Sequence, residues 1–232
     1  MTNLSGNQRG QYVQAMFARI APHYDRMNRL MTAGQDVRWR QEAIRRTALP
    51  PGGCLLDLGA GTGDLAAEAL RQFPGCQVIA ADFTLEMMLA GRATREADLT
   101  WSGADALRLP FPDQTFAAVV SGYLLRNVGD LSQALDEQHR VLQPGGRLVT
   151  LDTTRPPKGF ISPFINFHLH TVIPALGRLL AGESEAYTYL PDSTQEFLSA
   201  EQLAERLVQA GFRQVGFRRL MFGSMAIHWG VK

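Results

Sequence analysis

The stretch Leu55-Leu56-Asp57-Leu58-Gly59-Ala60-Gly61-Thr62-Gly63-Asp64 decides how this chain is read. Two leucines ahead of Asp57 suit a buried parallel strand, in which a short apolar run is covered on both faces. Glycines at alternate positions, Gly59, Gly61 and Gly63, allow a tight turn and the close approach of a ligand to bare backbone. Asp64 is placed to cap a helix running through Leu65, Ala66, Ala67, Ala69 and Leu70. A glycine loop taken alone is equally a plain turn. Strand, glycine loop and helix N-terminus in that order describe a nucleotide site.

Two acidic residues downstream say which nucleotide. The dinucleotide fingerprint uses its third glycine to seat the helix on the sheet. Here that glycine comes one residue early, and Asp64 takes its place. Asp82 ends a second apolar run, Val78-Ile79-Ala80-Ala81, where an acidic side chain accepts from ribose hydroxyls. A third run closes on Asp105-Ala106, again at the carboxyl end of a strand, where an open α/β sheet gathers its ligand contacts. Loop and acidic residues in this order resemble the class I S-adenosylmethionine-dependent methyltransferases. The resemblance implies S-adenosylmethionine as the cofactor. It places Asp57, Gly59, Gly61, Thr62 and Gly63 around the methionine part, Asp82 at the ribose, and Asp105 with Ala106 at the adenine. Phe83 and Ser121 complete the expected cofactor set.

Bulk properties narrow the class. At 232 residues the chain is ample for one α/β domain and short for two. It is 45% hydrophobic and 19% charged, a globular balance that argues against long disorder. A net charge of +1 offers no broad field for gripping nucleic acid. Cys54 and Cys76 fit no metal-ligand spacing, so no metal is expected and both read as structural thiols in a reducing compartment. Met1 to Gln14 is polar and lacks the apolar core of a secretory signal, and no uninterrupted apolar stretch reaches transmembrane length. The expectation is a soluble cytoplasmic protein.

Residues from about 12 to 49 read as a helical cap ahead of the sheet, with Phe17, Ile20 and Ala21 on one face and Pro22 stopping or bending the segment. From Pro50 to Leu151 strands and helices alternate. The strands fall at Cys54 to Gly59, Gln77 to Phe83, Leu99 to Ala104, Phe116 to Ser121 and Arg147 to Leu151. The helices fall at Asp64 to Gln72, Leu85 to Ala97 and Leu131 to Leu142, and Gln143-Pro144-Gly145-Gly146 reads as a helix stop and turn. Such alternation predicts a doubly wound, mostly parallel sheet. Residues from about 155 to 198 are too long for a plain connection and carry a heavy apolar load from Phe160 to Leu180, which reads as a helical lid or substrate module in the same single domain. A helix from about Ala200 to Ala210 and strands at Arg213 to Leu220 and Met225 to Val231 close the chain. They complete a Rossmann-like sheet of the methyltransferase kind, seven-stranded with the last strand antiparallel.

A second, narrower resemblance lies in the cap. Tyr24, Asp25, Met27, Asn28, Gly34 and Trp39 match the Tyr-Asp-x-Met-Asn signature, with its later glycine and tryptophan, of the quinone-biosynthesis C-methyltransferases. Thr32 takes that signature's serine position, and Asp36 takes its histidine position. Leu125-Arg126-Asn127-Val128 matches the end of the family's Phe-Gly-Leu-Arg-Asn-Val, with Tyr123-Leu124 in place of its first two residues. The family's serine just before this motif aligns with Gly122, which displaces Ser121 by one. Arg140-Val141-Leu142-Gln143-Pro144-Gly145-Gly146 resembles a second signature, whose closing glutamate is matched by Asp152. Tyr187-Thr188-Tyr189-Leu190-Pro191-Asp192-Ser193 and Gly223-Ser224-Met225-Ala226-Ile227-His228 resemble two further segments.

This resemblance implies C-methylation of a prenylated quinol, demethylmenaquinol first and the equivalent ubiquinone precursor, a benzoquinol, second. A methyltransferase of another lipophilic acceptor and a non-enzymatic cofactor-binding protein are the outer alternatives. Arg126 would steady a phenolate, and Asp152 or Tyr24 would take a proton, with His168, His170 and His228 as other acceptors. Arg126 and Asp152 read equally well as a structural ion pair. Tyr24, Asn28, Asn127, Tyr187 and Tyr189 would line the acceptor side. A prenylated partner also implies peripheral contact with a membrane surface. The sequence does not choose between a monomer and a homodimer.

Overall fold

The computed structural model describes residues 7–95, 99–156, 171 and 193–232. Three helices precede the sheet: α1 (Asn7–Ile20), α2 (Tyr24–Met31) and α3 (Gln35–Thr47). Pro22 sits in a 3₁₀ turn, Ala21–His23, that separates α1 from α2, as its missing N–H and fixed φ require. The sheet elements follow as β1 (Cys54–Leu58), α4 (Asp64–Gln72), β2 (Gln77–Asp82), α5 (Leu85–Thr94), β3 (Thr100–Gly103) and β4 (Phe116–Gly122). Then come α6 (Leu131–Val141), β5 (Leu142–Thr153), α7 (Ala200–Gln209), β6 (Arg213–Leu220) and β7 (Met225–Val231).

The seven strands form one sheet in the order β3-β2-β1-β4-β5-β7-β6. Strands β1 to β5 pair in parallel, and β7 runs antiparallel between β5 and β6. This is the doubly wound, Rossmann-like arrangement that the alternation predicts. The apolar run in β1 is buried on both faces for the reason given above. Leu55 joins a core with Ile44, Ala69 and Val120, whereas its neighbour Leu56 joins one with Leu135, Leu148 and Leu207.

Local chemistry sets the element ends. Asp130 accepts from the Gln133 N–H to cap α6, and Ser199 with Gln202 forms a capping box at α7. The Lys232 ammonium closes the other end of α6, donating to the carbonyls of His139, Arg140 and Leu142 at 2.6, 3.2 and 2.8 Å.

Two local expectations need correction. Gln143 to Gly146 belongs to β5, which begins where α6 ends; the register slips between Phe116↔Leu142 and Ala118↔Arg147, so Pro144 sits in a bulge where no ladder hydrogen bond is asked of it. Asp64 is the first residue of α4 and makes no cap, because Gly63 takes the N-cap place and two arginines take the carboxylate. The expected insertion, with Tyr187, Tyr189, His168 and His170, lies largely outside the described residues. Among the described residues no helix is long and apolar enough to cross a membrane.

Helix α5 is pressed onto the glycine loop at Gly91. A Cβ there would lie 2.5 Å from the Thr62 carbonyl oxygen and 2.8 Å from the Trp101 ring. In an open helix, Gly→Ala gains roughly 0.5–1 kcal/mol. Here the overpacking, worth about 1–3 kcal/mol, reverses the sign. Gly91→Ala is expected to lower the thermal midpoint; a midpoint at or above the native one would show that α5 is not held this closely.

Candidate active site

The parallel strands end together at one rim, and the strand order turns back between β1 and β4. Ligands of open α/β sheets bind in such a crevice. Leaving β1, the Gly59 and Ala60 N–H groups both donate to the Ala81 carbonyl at 2.8 and 3.0 Å, which turns the chain sharply beside β2. Gly59, Gly61 and Gly63 take φ values of +68°, +57° and +83°, which side-chain-bearing residues rarely adopt. A Cβ on Gly59 would also meet the Leu124 side chain at 2.9 Å.

A cavity of about 360 Å³ opens over this loop. The strand ends supply Gly59, Gly61, Asp82, Phe83, Asp105 and Ala106 to its wall. Gly10, Gln11, Val13, Gln14 and Phe17 of α1 lie along another side, and the Gln14 amide donates to the Phe83 carbonyl at 3.0 Å. The remaining wall includes Tyr24, Met87, Gly122, Tyr123, Leu124 and Asn127.

Asp82 takes the Gly61 N–H on one oxygen and the Thr84 N–H on the other, both at 2.7 Å. Burial raises its pKa, and those backbone donors pull against the rise. The Thr84 hydroxyl and the Phe83 N–H pull in the same direction, and the carboxylate reaches the cavity wall, where it can accept from ribose hydroxyls. Asp105 accepts from the Leu107 N–H at 2.9 Å. Bare backbone at the loop, with two carboxylates on the wall, fits the adenosine and methionine parts of S-adenosylmethionine.

Four expected cofactor residues stand behind the wall. Asp57 is wholly buried; one oxygen accepts from the Ala66 N–H at 2.9 Å, and the other has no partner among the described residues. The Thr62 hydroxyl points to the cap and donates to Asp25 at 2.6 Å. Gly63 seats against Trp101. Ser121 is buried and donates to the Thr150 hydroxyl at 3.1 Å, while Gly122, one residue on, reaches the cavity. That is the displacement the alignment of the motif anticipates.

An ion cluster ties the cap to the loop. Arg40 pairs with Asp36 and, at 2.9 Å, with Asp64, and Arg95 pairs with Asp64, Asp25 and the Thr62 carbonyl. Asp36, at the family's histidine position, is fully buried and accepts from the Thr32 hydroxyl at 3.0 Å. The two departures from the signature are therefore bonded to each other, and Asp36 is engaged in structure, away from the cavity wall.

On the acceptor side, Tyr24 reaches the cavity and packs edge-to-face on Phe17, with centroids 5.8 Å apart. Burial raises its pKa, with the Asn28 amide, Arg40 and Arg126 pulling it down. Asn28 is buried behind it, and the Asn127 amide, also at the wall, donates to the Tyr123 carbonyl at 2.8 Å. Arg126 does not line this cavity. Its Nη1 donates to the Thr153 hydroxyl at 3.1 Å, and the residue borders a neighbouring cavity of about 340 Å³ with Ser132, Glu196 and Arg206.

Asp152 is also away from the wall. It is fully buried and accepts from the N–H groups of Leu125 at 2.8 Å, Arg126 at 3.4 Å and Thr153 at 2.8 Å, a brace for the turn after β4. His228 lies inside the sheet on β7 with Nε2 against the Ala200 carbonyl at 2.9 Å; burial lowers its pKa to about 4, so it stays neutral and takes no proton from the cavity.

The pattern of the ubiE/COQ5 methyltransferase family matches residues 4–232. The chain belongs to that family. It is 48% identical over 225 residues to the ubiquinone/menaquinone biosynthesis C-methyltransferase UbiE of Desulfotalea psychrophila, covering 97% of this chain and 92% of the relative. It is 43% identical over 218 residues to the demethylmenaquinone methyltransferase of Thermus thermophilus, covering 93% and 99%. A phosphoethanolamine N-methyltransferase of Haemonchus contortus, solved with S-adenosyl-L-methionine, shares the fold at TM-score 0.64 and 17% identity, over 84% of this chain and 52% of that one. The protein is an S-adenosylmethionine-dependent methyltransferase.

Sequence reasoning passed over several residues of the site. Tyr123 and Leu124 stood out only as departures from the motif, yet both line the cavity. Arg40 and Arg95, 55 positions apart by their numbers, meet only through the fold at Asp64, and no periodicity marks them.

Asp57 also gives the site a pH signature. Burial lifts its pKa from 3.8 to about 7, with Asp82 and Asp64 adding to the rise and Ala66 and Arg40 opposing it. A folded value above the unfolded one means that protonation stabilises the fold, fully below about pH 4, and that this contribution is lost as pH rises through 7. Asp57→Asn carries no charge at any pH. Relative to the native protein it is expected to gain about 2–3 kcal/mol between pH 5 and pH 8. Thermal melts of both proteins at the two pH values measure this, and a difference that stays constant sinks the assignment.

Proposed function

We propose that this protein transfers the methyl group of S-adenosylmethionine to a ring carbon of a prenylated quinol, with demethylmenaquinol as the acceptor. The observation that carries the reading is the two-sided cavity, with carboxylates and bare backbone on one side and phenols backed by a guanidinium on the other. The family and its demethylmenaquinone methyltransferase members support the same acceptor.

When bound, the cofactor supplies an activated, electrophilic methyl group. The protein's own work is then to hold donor and acceptor in line and to keep the ring electron-rich. Asp82 accepts from the ribose hydroxyls, Asp105 with the Ala106 backbone meets the adenine, and the loop from Gly59 to Gly63 surrounds the methionine part. Burial keeps the Tyr24 phenol protonated at neutral pH, so Tyr24 orients the acceptor as a hydrogen-bond donor and not as a base. Asn127 borders the ring, and Arg126 supplies the positive charge that favours the quinol anion. Asp152 fixes the turn that carries both. Tyr187 and Tyr189 stay assigned to the acceptor side on the sequence resemblance. The apolar stretch from Phe160 to Leu180 would meet the lipid surface where a prenyl chain resides, and flotation with liposomes measures that contact.

The deciding experiment offers demethylmenaquinol and a demethylated benzoquinol side by side, with labelled methyl donor. Preference for the first is expected. Preference for the second moves the protein to the ubiquinone branch, which the name of the 48%-identical relative also covers. Labelling of neither ends the quinol reading. Asp82→Asn tests the cofactor side, since it converts one acceptor oxygen into a donor. Affinity for S-adenosylhomocysteine in calorimetry should fall by about 1–3 kcal/mol, and an unchanged affinity would take Asp82 out of the site.

A further inference from the structure

Tyr123 follows β4 with φ +59°, a left-handed conformation that costs a residue bearing a Cβ on the order of 1–3 kcal/mol. The surroundings hold it there. Its N–H donates to the Leu151 carbonyl at 2.8 Å, and its carbonyl accepts from the Asn127 amide at 2.8 Å. The strained turn aims the ring at the cavity, beside Tyr24 and Leu124.

Arg126, three residues on, has its guanidinium carbon 5.6 Å from the Tyr123 ring centroid, within cation–π range, and does not itself line the cavity. The Tyr123 ring thus stands at the wall with the Arg126 charge against it. Tyr123 lines the cavity, and its hydroxyl is neither hydrogen-bonded nor fully enclosed among the described residues, which leaves its donor accessible. Burial raises its pKa, Tyr24 adds to the rise, and Arg40 and Arg126 oppose it; the phenol keeps its proton at neutral and mildly alkaline pH.

We propose that the Tyr123 hydroxyl donates a hydrogen bond to the acceptor oxygen beside the carbon that is methylated, and that Arg126 acts on that oxygen through the Tyr123 ring instead of touching it. The inference rests on the quinol reading above. The acceptor hydroxyl gives its proton to water and becomes an oxyanion, which the polarised phenol stabilises. The ortho ring carbon forms the new C–C bond as the methyl–sulfur bond breaks and its electron pair stays on sulfur. The ring C–H proton then leaves to water and the oxygen is reprotonated, so one proton is released per methyl transferred. Tyr123 is a catalytic residue in this scheme, and Arg126 is a positioning residue.

The test is the pH profile of single-turnover methylation of demethylmenaquinol by the native protein, Tyr123→Phe, Arg126→Lys and the double variant. Tyr123→Phe keeps the ring and the turn, so melting temperature and S-adenosylhomocysteine affinity should hold. Its rate at pH 7 should fall about tenfold and recover as pH rises, with the acidic limb displaced upward by about one unit, the shift that corresponds to a tenfold change in anion population. Arg126→Lys should lose rate in the native background and little more once Tyr123 is phenylalanine. An unmoved acidic limb in Tyr123→Phe, or a loss equal at every pH, overturns the hydroxyl's role. A full additional loss from Arg126→Lys in the double variant overturns the route through Tyr123 and gives Arg126 a contact of its own. A native protein that methylates no quinol defeats the quinol reading and this proposal with it.

Discussion

Two arginines share one aspartate, and the site is assembled around that sharing. Arg40 from α3 and Arg95 from the end of α5 both pair with Asp64, the residue that opens α4 directly after the glycine loop. Arg40 also takes Asp36, and Arg95 also takes Asp25 and the Thr62 carbonyl, so cap, loop and α5 are held by one connected set of charges. Burial pulls the Arg40 guanidinium's pKa down, but Asp64, Tyr123, Asp36 and Tyr24 together outweigh it and leave the value above the ordinary one. Such a cluster adds little net stability, because desolvation consumes most of its attraction, yet removing one member strands a buried charge at about 3–5 kcal/mol. Its effect is therefore on geometry. Asp25 is fixed by Thr62 and Arg95, and Tyr24, the residue before it, is thereby fixed at the cavity wall.

Where this chain departs from the signature it resembles, the change is answered nearby. Asp36 in place of histidine brings a buried carboxylate, and the Thr32 hydroxyl and Arg40 satisfy it. Leu124 in place of glycine brings a side chain to the loop, and it lies over Gly59, where a Cβ would collide with it. Tyr123 in place of phenylalanine brings a hydroxyl, on a residue that lines the cavity. The first two are packing and pairing solutions with no chemistry at the cavity. Only the third adds a functional group where a substrate sits.

The legible part of the molecule was the part written in local pattern. Strand and helix periodicity placed β1, α4, β2, β4, α6, β6 and β7 to within a residue or so, since both faces of the sheet are covered and apolar runs have no other place to go. Strand β5 is longer than the sequence pattern predicts, because Pro144 and two glycines read as a turn and the bulge that accommodates them is a property of pairing with β4. The glycine loop and the two carboxylates that line the cavity were legible because a tight turn and an acceptor at a strand end each demand particular residue types. Asp152 and Arg126 lie off the cavity wall, and the sequence pattern does not show that, for the opposite reason. A carboxylate after a strand and an arginine after its neighbour carry no local mark that separates bracing a turn from facing a ligand, and the three N–H groups that converge on Asp152 appear only in the fold.

The layering behind the acceptor side follows from the charge balance of the reaction. A cationic methyl donor and an anionic ring combine into two neutral products, so charge disappears on the way to the transition state. A site in which donor and acceptor displace most of the water favours that change, since little solvation is lost as the charges cancel. A guanidinium in direct contact with the ring oxygen would oppose it in part, by holding the electron pair that must move to carbon. It would raise the population of the anion and lower the anion's reactivity together. Set behind the Tyr123 ring, at 5.6 Å from its centroid, the same charge strengthens a neutral donor instead. The anion is then favoured enough to form at neutral pH and held weakly enough to react. That compromise needs the left-handed turn at Tyr123, which is where the strain of this segment is spent.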